Sequence, residues 1–425
     1  MEQAGSRSLA QLFHCSIVRR RHYNDRSMAG RLPPFLRRYW LAFAIVAAFV
    51  LLWAALWSVH TTRVVIITAF VAPDLFLDAP VSPLKLVGED PVREEVWLHV
   101  PQGRGELVAD VYRPKDGDRH GAMLISVGAA PRIRDHPGVV RLSKAAARAG
   151  IVVMIPQLYY PFQENVLPED VQGLVDAFGT NIEEIVASFE WLRRQPYVEP
   201  DRAGIFGASA GGGIALVAAA DARIRDQVAY IASLGTYFDM VDLINAITTE
   251  SIHYDGQQEA WDPWLKSVRV LYRSIISYLP ETHDRDVLTR VFVDEDPSAR
   301  AEVSDLSPQG RRIYDAFQAR DSDRILAFWG EFSPQDVATL RDISPSSYVA
   351  NLTTDLFVIT DRSDPFIPYV ESRRLRDAAA GHHVHFTELR LFEHVEPKLD
   401  QDGRVVVMDS TRMMFRLYQI LTRVT

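Results

Sequence analysis

One serine, two aspartates and one histidine in this chain sit where acyl chemistry would need them. Ser209 stands in Gly207-Ala208-Ser209-Ala210-Gly211. A β-branched and aromatic run, Ile205-Phe206, leads in, and a small-residue helical pattern from Ile214 to Ala220 leads out. Strand, tight turn and helix in that order lift a serine hydroxyl above the end of a sheet. The turn has no room for side chains on both flanks, so glycine is expected at Gly207 and Gly211. The same residues also suit an ordinary strand-to-helix turn with Ser209 as the helix cap. The partners decide. A serine hydroxyl is a weak nucleophile at neutral pH and needs a base within reach, with a carboxylate to orient that base.

The carboxylate candidate is Asp364, in Asp361-Arg362-Ser363-Asp364-Pro365, just after the strand pattern Leu356 to Thr360. Asp361 competes with it, and either aspartate also suits a plain turn. The base candidate is His394, just past the strand pattern Val384 to Phe392. His382, His383 and His385 come before or within that strand, so they belong to its other end or its faces. A surface-loop histidine is the alternative for His394. The developing oxyanion needs two backbone N–H donors. Ala210, at the start of a helix whose dipole favours negative charge, offers one. The loop Val127-Gly128-Ala129-Ala130-Pro131 offers the other, with Ala129 as the donor, since Pro131 has no N–H.

Those residues need a sheet to position them. Glu95 to His99 and Glu106 to Tyr112 alternate across Gln102-Gly103-Arg104-Gly105, which predicts a β-hairpin. Gly121 to Val127 and Ile151 to Ile155 are continuous apolar runs, as strands buried on both faces should be. Between them, Val139 to Ala149 has helical spacing and stops at Gly150. Asn181 to Arg194 is an amphipathic helix, Arg202 to Phe206 enters the serine turn, and Val228 to Leu234 is the next strand. From about 239 to 341 the pattern turns helical and charged, with Trp261, Trp264, Tyr272, Phe328 and Trp329 and no convincing strand. This predicts a helical lid inserted into the domain. Strands and helices resume with Leu356 to Thr360, Val370 to Ala380, Val384 to Phe392 and Ser410 to Thr422. The alternation predicts a mostly parallel sheet flanked by helices.

The N-terminal part is different in kind. Residues 1–39 carry Arg7, Arg19, Arg20, Arg21, Arg26, Arg31, Arg37 and Arg38 against Glu2 and Asp25, and read as a basic cytoplasmic tail. Met28 is a second possible start. Residues 40–59 hold no charge over a length that crosses a bilayer as a helix, with Trp40, Trp53 and Trp57 at or near the ends. Arg37 and Arg38 precede the run, which predicts a single-pass signal anchor with the N-terminus cytoplasmic and the rest outside. Residues 60–91, rich in proline towards the end, read as a juxtamembrane linker onto a domain over 92–425. The whole chain has a net charge of −9 although its tail is basic, so the body is acidic and nucleic acid is not the expected partner. Cys15 is the one cysteine, which excludes an intrachain disulfide and a thiol nucleophile in the body.

Taken together, the body resembles the α/β-hydrolase superfamily over roughly residues 92 to 425. The resemblance rests on Leu107-Val108-Ala109-Asp110-Val111-Tyr112-Arg113-Pro114, Gly150-Ile151-Val152-Val153-Met154-Ile155-Pro156, and Tyr197 to Arg202 running into the serine turn. These are similar to dienelactone-hydrolase-like and prolyl-oligopeptidase-like members. Ile343-Ser344-Pro345 and Asp364-Pro365-Phe366-Ile367-Pro368 are similar to the approach to that family's acid residue, which favours Asp364 over Asp361. The departures are Asp361 where a glycine is usual, Val127-Gly128 where His-Gly is usual, and serine where true dienelactone hydrolases use cysteine. The resemblance implies the α/β-hydrolase fold, the order Ser209, Asp364, His394, and a serine hydrolase that needs no cofactor or metal. A small-molecule carboxylic ester is the expected substrate. A peptidase, an acyltransferase or a non-catalytic scaffold are the alternatives that the same fold allows.

Overall fold

The computed structural model describes residues 42, 44–52, 55, 59–76, 83–87, 89–128, 132–159, 171–277, 279–321, 323–325, 327, 334–398 and 401–425. The chain divides into two units, Met1–Val59 and His60–Thr425. In the first, residues 44–52 are helical, and Ile45, Val46, Phe49, Val50, Leu51 and Leu52 are exposed. The expected basic tail over 1–39 and part of the expected span over 40–59 lie outside the described residues. Among the described residues, no helix is long and apolar enough to cross a membrane.

The second unit is built on an eight-stranded sheet. Its strands are β1 (Val92–Val100), β2 (Gly105–Arg113), β3 (His120–Val127), β4 (Val152–Pro156), β5 (Val198–Ala208), β6 (Tyr230–Leu234), β9 (Asp355–Asp361) and β10 (Val384–Leu389). Their order across the sheet is β1-β2-β4-β3-β5-β6-β9-β10. The hairpin β1–β2 and the β2–β4 pair are antiparallel, and every later pair is parallel. The register matters most. Val127 lies opposite Ala208, Ala208 opposite Leu234, and Leu234 opposite Ile359. The loops that leave these strands therefore start on one edge of the sheet, where an open α/β sheet gathers its ligand contacts.

Helices cover both faces. On one lie α4 (Val171–Arg193), α5 (Ser209–Ala219) and α11 (Tyr369–Ala378), packed on Leu124, Met154, Ile205, Ile231 and Val358. On the other lie α1 (His60–Phe76), α3 (Pro137–Arg148) and α12 (Gly403–Val424), over Met123, Ile125, Val153, Tyr230 and Phe357. Successive residues of one strand feed opposite faces, as a pleat of period two requires. A short helix, α2 (Pro83–Val87), precedes the sheet.

Three expectations are corrected. Residues 60–91 are not simply a linker, because α1 is a helix of the body. Val64, Ile67 and Val71 recur at helical spacing and are buried, and Arg63 donates to the carbonyl of Thr425 at 3.4 Å. Second, the insertion contains a hairpin, β7 (Ser251–Tyr254) and β8 (Gln257–Ala260), among its helices α6 (Met240–Thr249), α7 (Leu265–Ser277), α8 (Thr282–Phe292), α9 (Pro308–Ala319) and α10 (Pro334–Asp342). Asp255 and Gly256 turn it with φ of 51° and 71°, the left-handed pair of a tight hairpin. Third, the final strand stops at Leu389. Beyond it, β11 (Phe392–Glu393) and β12 (Glu396–Pro397) form a small hairpin with His394 in the turn at φ 62°. The insertion has its own aromatic core, where Tyr272 and Phe317 stack at 4.2 Å and Phe292 meets Phe317 edge-on at 5.1 Å. Phe328 and Trp329 lie outside the described residues.

Candidate active site

The turn at Ser209 is as tight as the sequence demands. Ala208 is extended, at φ −135° and ψ 147°, and Ser209, the first residue of α5, takes φ 55°. A left-handed backbone costs a non-glycine residue about 1–3 kcal/mol, so the surrounding contacts must hold it. They do so through close backbone approach. A Cβ on Gly207 would come 2.5 Å from Gly212 Cα, and one on Gly211 would come 2.6 Å from Gly128 N. The Ser126 hydroxyl donates to the Gly211 carbonyl at 2.9 Å, and the Gly128 amide donates to the Ala208 carbonyl at 3.2 Å. Gly128 thus passes beside the amide of Ala210, where a Cβ would lie only 3.0 Å from Ala210 N. Ala129 lies outside the described residues.

His394 and Asp364 meet. His394 Nδ1 lies 2.8 Å from Asp364 Oδ2, and the carboxylate is buried, with 1% of its residue surface exposed. The other oxygen, Oδ1, accepts the amides of Phe366 at 2.8 Å and Ile367 at 3.0 Å. An ionised carboxylate only accepts, so this contact suits the imidazole tautomer with its proton on Nδ1. Ser209 and His394 line one cavity of about 740 Å³. Ser209 is 8% exposed.

Asp361, the competing carboxylate, serves a different purpose. Its Oδ1 accepts the Ser363 amide at 2.8 Å and its Oδ2 accepts the Phe392 amide at 2.7 Å. It staples the loop that carries Asp364 to the segment that carries His394. Burial raises its pKa above the usual carboxylate range. His383 and His385 stay away. His383 pairs with Asp355 at the opposite end of β9, at 3.1 Å, and His385 stacks on Phe357 at 4.6 Å.

Other residues support the pair in roles that the sequence pattern does not assign to them. Gly235 follows β6 with φ 56°, and a Cβ there would come 2.9 Å from Asp364 Oδ2 and 3.4 Å from His394 Nδ1. Only glycine leaves room for the pair. Phe366 lies against the imidazole at 4.6 Å between ring centroids. The insertion reaches this loop as well. Trp261 Nε1 donates to the Asp364 carbonyl at 3.0 Å, and the Trp264 amide donates to the Pro365 carbonyl at 2.8 Å. The only sequence signal for Gly235 is a glycine immediately after a strand on the functional edge. Trp261 and Trp264 carry none, because their contact is long-range. No group of residues suited to a metal ion occurs among the described residues.

A family model described as α/β hydrolase fold matches residues 175–308, which include Ser209 and about the first two thirds of the insertion. The chain has the α/β-hydrolase fold. Among solved structures, Pyrococcus horikoshii acylaminoacyl peptidase is similar at 12% identity and TM-score 0.44, over 78% of this chain and 41% of that one. A Mycobacterium tuberculosis puromycin-hydrolyzing peptidase is similar at 16% identity and TM-score 0.44, over 78% and 39%. A structure from work on two fungal esterases from Rhizomucor miehei is similar at 14% identity and TM-score 0.43, over 84% and 91%. The chain therefore spans about two fifths of the peptidase chains it matches. No curated protein sequence matches it. Within the α/β-hydrolase fold, the expected mostly parallel sheet is borne out.

Proposed function

We propose that this α/β hydrolase is a serine hydrolase of carboxylic esters, with Ser209 as nucleophile, His394 as base and Asp364 as the residue that orients the base. The observation that carries this reading is the buried His394–Asp364 contact at 2.8 Å, in a cavity whose wall also holds Ser209. Ser209 Oγ attacks the ester carbonyl and its proton passes to His394 Nε2. The negative oxygen that forms is held by the Ala210 amide and, in this proposal, by that of Ala129. The C–O bond to the alcohol breaks, and His394 gives its proton to the departing alkoxide. Water then attacks the acyl-serine, loses its proton to His394, and releases the acid as Ser209 regains its hydrogen. These steps use no cofactor or metal.

The test is labelling with a fluorophosphonate, which traps an activated serine. Wild-type protein should take the label and Ser209→Ala should not, with ester hydrolysis falling by at least about 10⁴-fold. Folded wild-type protein that takes no label would overturn the assignment.

The reading includes residues 40–59 as a signal anchor, with the N-terminus cytoplasmic and the catalytic unit outside. Support comes from the uncharged run, the arginines before it, and the exposed apolar side chains at 45–52. Protein released from isolated membranes by alkaline carbonate, or a C-terminal reporter active only in the cytoplasm, would sink this part.

A further inference from the structure

The cavity that holds Ser209 and His394 does not end there. It continues down the face of the sheet that α1, α3 and α12 cover, between those helices and strands β3, β5 and β6. Directly below Ser209 it is walled by Phe206 and Ala208 of β5, and further along by Met123 and Ala232. Its polar side chains are Ser209, His394, His136, Arg141 and Tyr230, and the rest of the lining is apolar. Ser209, His394 and His136 mark the mouth, and Ala149, Leu421 and Val424 mark the depth. Two rulers give its length. From Met123 to Gly128, β3 advances about 16 Å at roughly 3.3 Å per residue. From Met413 to Val424, α12 advances about 16 Å at roughly 1.5 Å per residue.

Backbone features explain why there is room. The Tyr230 ring lies flat against β5, where a Cβ on Gly204 would come within 2.3 Å of it, and its hydroxyl donates to the Ala122 carbonyl at 3.3 Å. The ring is thereby held down on the sheet. Ala232 and Ala146 then leave the middle of the space unfilled. No residue from the insertion at 239–341 lines this cavity among the described residues.

We propose that this channel holds the acyl chain of the substrate, a linear hydrocarbon of about twelve carbons, since an extended chain of roughly 1.5 Å bonds advances about 1.3 Å per carbon. The inference rests on reading Ser209 as the nucleophile. The acyl carbon becomes bonded to Ser209 Oγ, so its chain must start at that atom, and the channel starts there too. The alcohol has to leave, and the open mouth is its path. A chain lying between the sheet and helices α3 and α12 buries its apolar surface against a mostly apolar lining, which favours binding. The substrate class is therefore an ester of a medium-to-long-chain fatty acid, recognised by the catalytic body and not by the aromatic insertion.

The experiment is a chain-length series on the full chain, using 4-nitrophenyl esters from acetate to hexadecanoate. The kcat/KM value should rise to about dodecanoate, the length set by a helix rise of roughly 1.5 Å per residue, and fall beyond it. Leu417→Trp narrows the channel part-way and Leu421→Trp one turn deeper. Each should lower the ratio of dodecanoate to acetate kcat/KM by at least tenfold, with Leu417→Trp favouring the shorter optimum. A ratio is read because it is unaffected by any fraction of unfolded protein. Unchanged ratios in both variants, or a length preference found on alkyl acetates and absent on acyl esters, would overturn the proposal. A binding measurement separates it from the catalytic reading. Displacement of a fluorescent fatty acid from Ser209→Ala by dodecanoate, and not by acetate, should occur. Fatty-acid binding without fluorophosphonate labelling of the wild type would count against the nucleophile alone. Labelling with a flat chain-length profile and no fatty-acid binding would count against the channel alone.

Discussion

The two faces of this sheet are made by the same strands and packed differently. On the face of α4, α5 and α11, glycines of α5 let side chains from the loop after β6 press against the helix backbone. A Cβ on Gly212 would come 2.1 Å from Thr236 Oγ1, and one on Gly213 would come 2.1 Å from the Tyr237 ring. On the face of α1, α3 and α12, small residues such as Ala146, Ala208 and Ala232 line a channel. Leu124 faces the first and Met123 the second. The filled face holds the Ser209 turn rigid, because α5 grows directly out of it. On the proposed reading the open face holds the acyl chain, and close packing everywhere would keep the serine turn and remove the space for that chain.

The sharpest way to break this comparison is to remove the same side chain from each face. Leu192 and Leu421 are both buried, at 0% and 3% exposure, the first in the filled core and the second on the channel wall. Leu192→Ala opens a new cavity and should cost about 4 kcal/mol in urea unfolding. Leu421→Ala enlarges a space that already exists, so fewer van der Waals contacts are lost, and about 2 kcal/mol is expected. Equal costs would mean that the channel is packed like a core. A smaller effect on free energy, but a direct one on catalysis, is expected at Gly235. Its replacement by Ala pushes a methyl group against Asp364 and His394 and should lower kcat by about 10²-fold with little change in KM, the signature of a misplaced base. A rise in KM with kcat intact would assign Gly235 to substrate binding instead.

These differences also explain what was legible in the sequence. The sheet, the serine turn and the choice of Asp364 and His394 as candidates were readable because local patterns carry them. Apolar runs mark buried strands, and Gly-x-Ser-x-Gly marks a turn with one possible shape. The distinction between Asp361 and Asp364 needed the family likeness, and in the structure it lies in which carboxylate meets His394. Helix α1 was missed because its apolar face sits beside a longer apolar run and just before a proline-rich stretch. The β7–β8 hairpin was missed although Asp255-Gly256 is a hairpin signal, because Gln257–Ala260 is exposed throughout and shows no alternation. The channel was invisible in principle. It is made of spaces between ordinary core residues, and Met123, Ala232 and Leu421 read as core wherever they stand.

The filled face has one further consequence, and it yields the smallest predicted effect. Glu371, at the start of α11, is fully buried. Its Oε2 accepts the amides of Phe238 and Asp239, each at 2.9 Å, while Oε1 contacts Arg374. The amides and the guanidinium favour its charged form, but burial outweighs them and pushes the carboxyl up to about 7 from 4.5. The folded protein then holds this proton more tightly than the unfolded chain does. The stabilising contribution is complete below about pH 4.5 and is lost as pH rises through about 7. Glu371→Gln keeps an acceptor for the amides and removes the titration. Its melting temperature should therefore fall less steeply than that of the wild type between pH 4.5 and 7. The slope should not vanish, because burial also raises Asp242 and Asp361. Parallel melting curves for variant and wild type across this window would show that Glu371 stays charged throughout. The filled face would then be less dry than its packing implies, and its contrast with the open face would be one of shape alone.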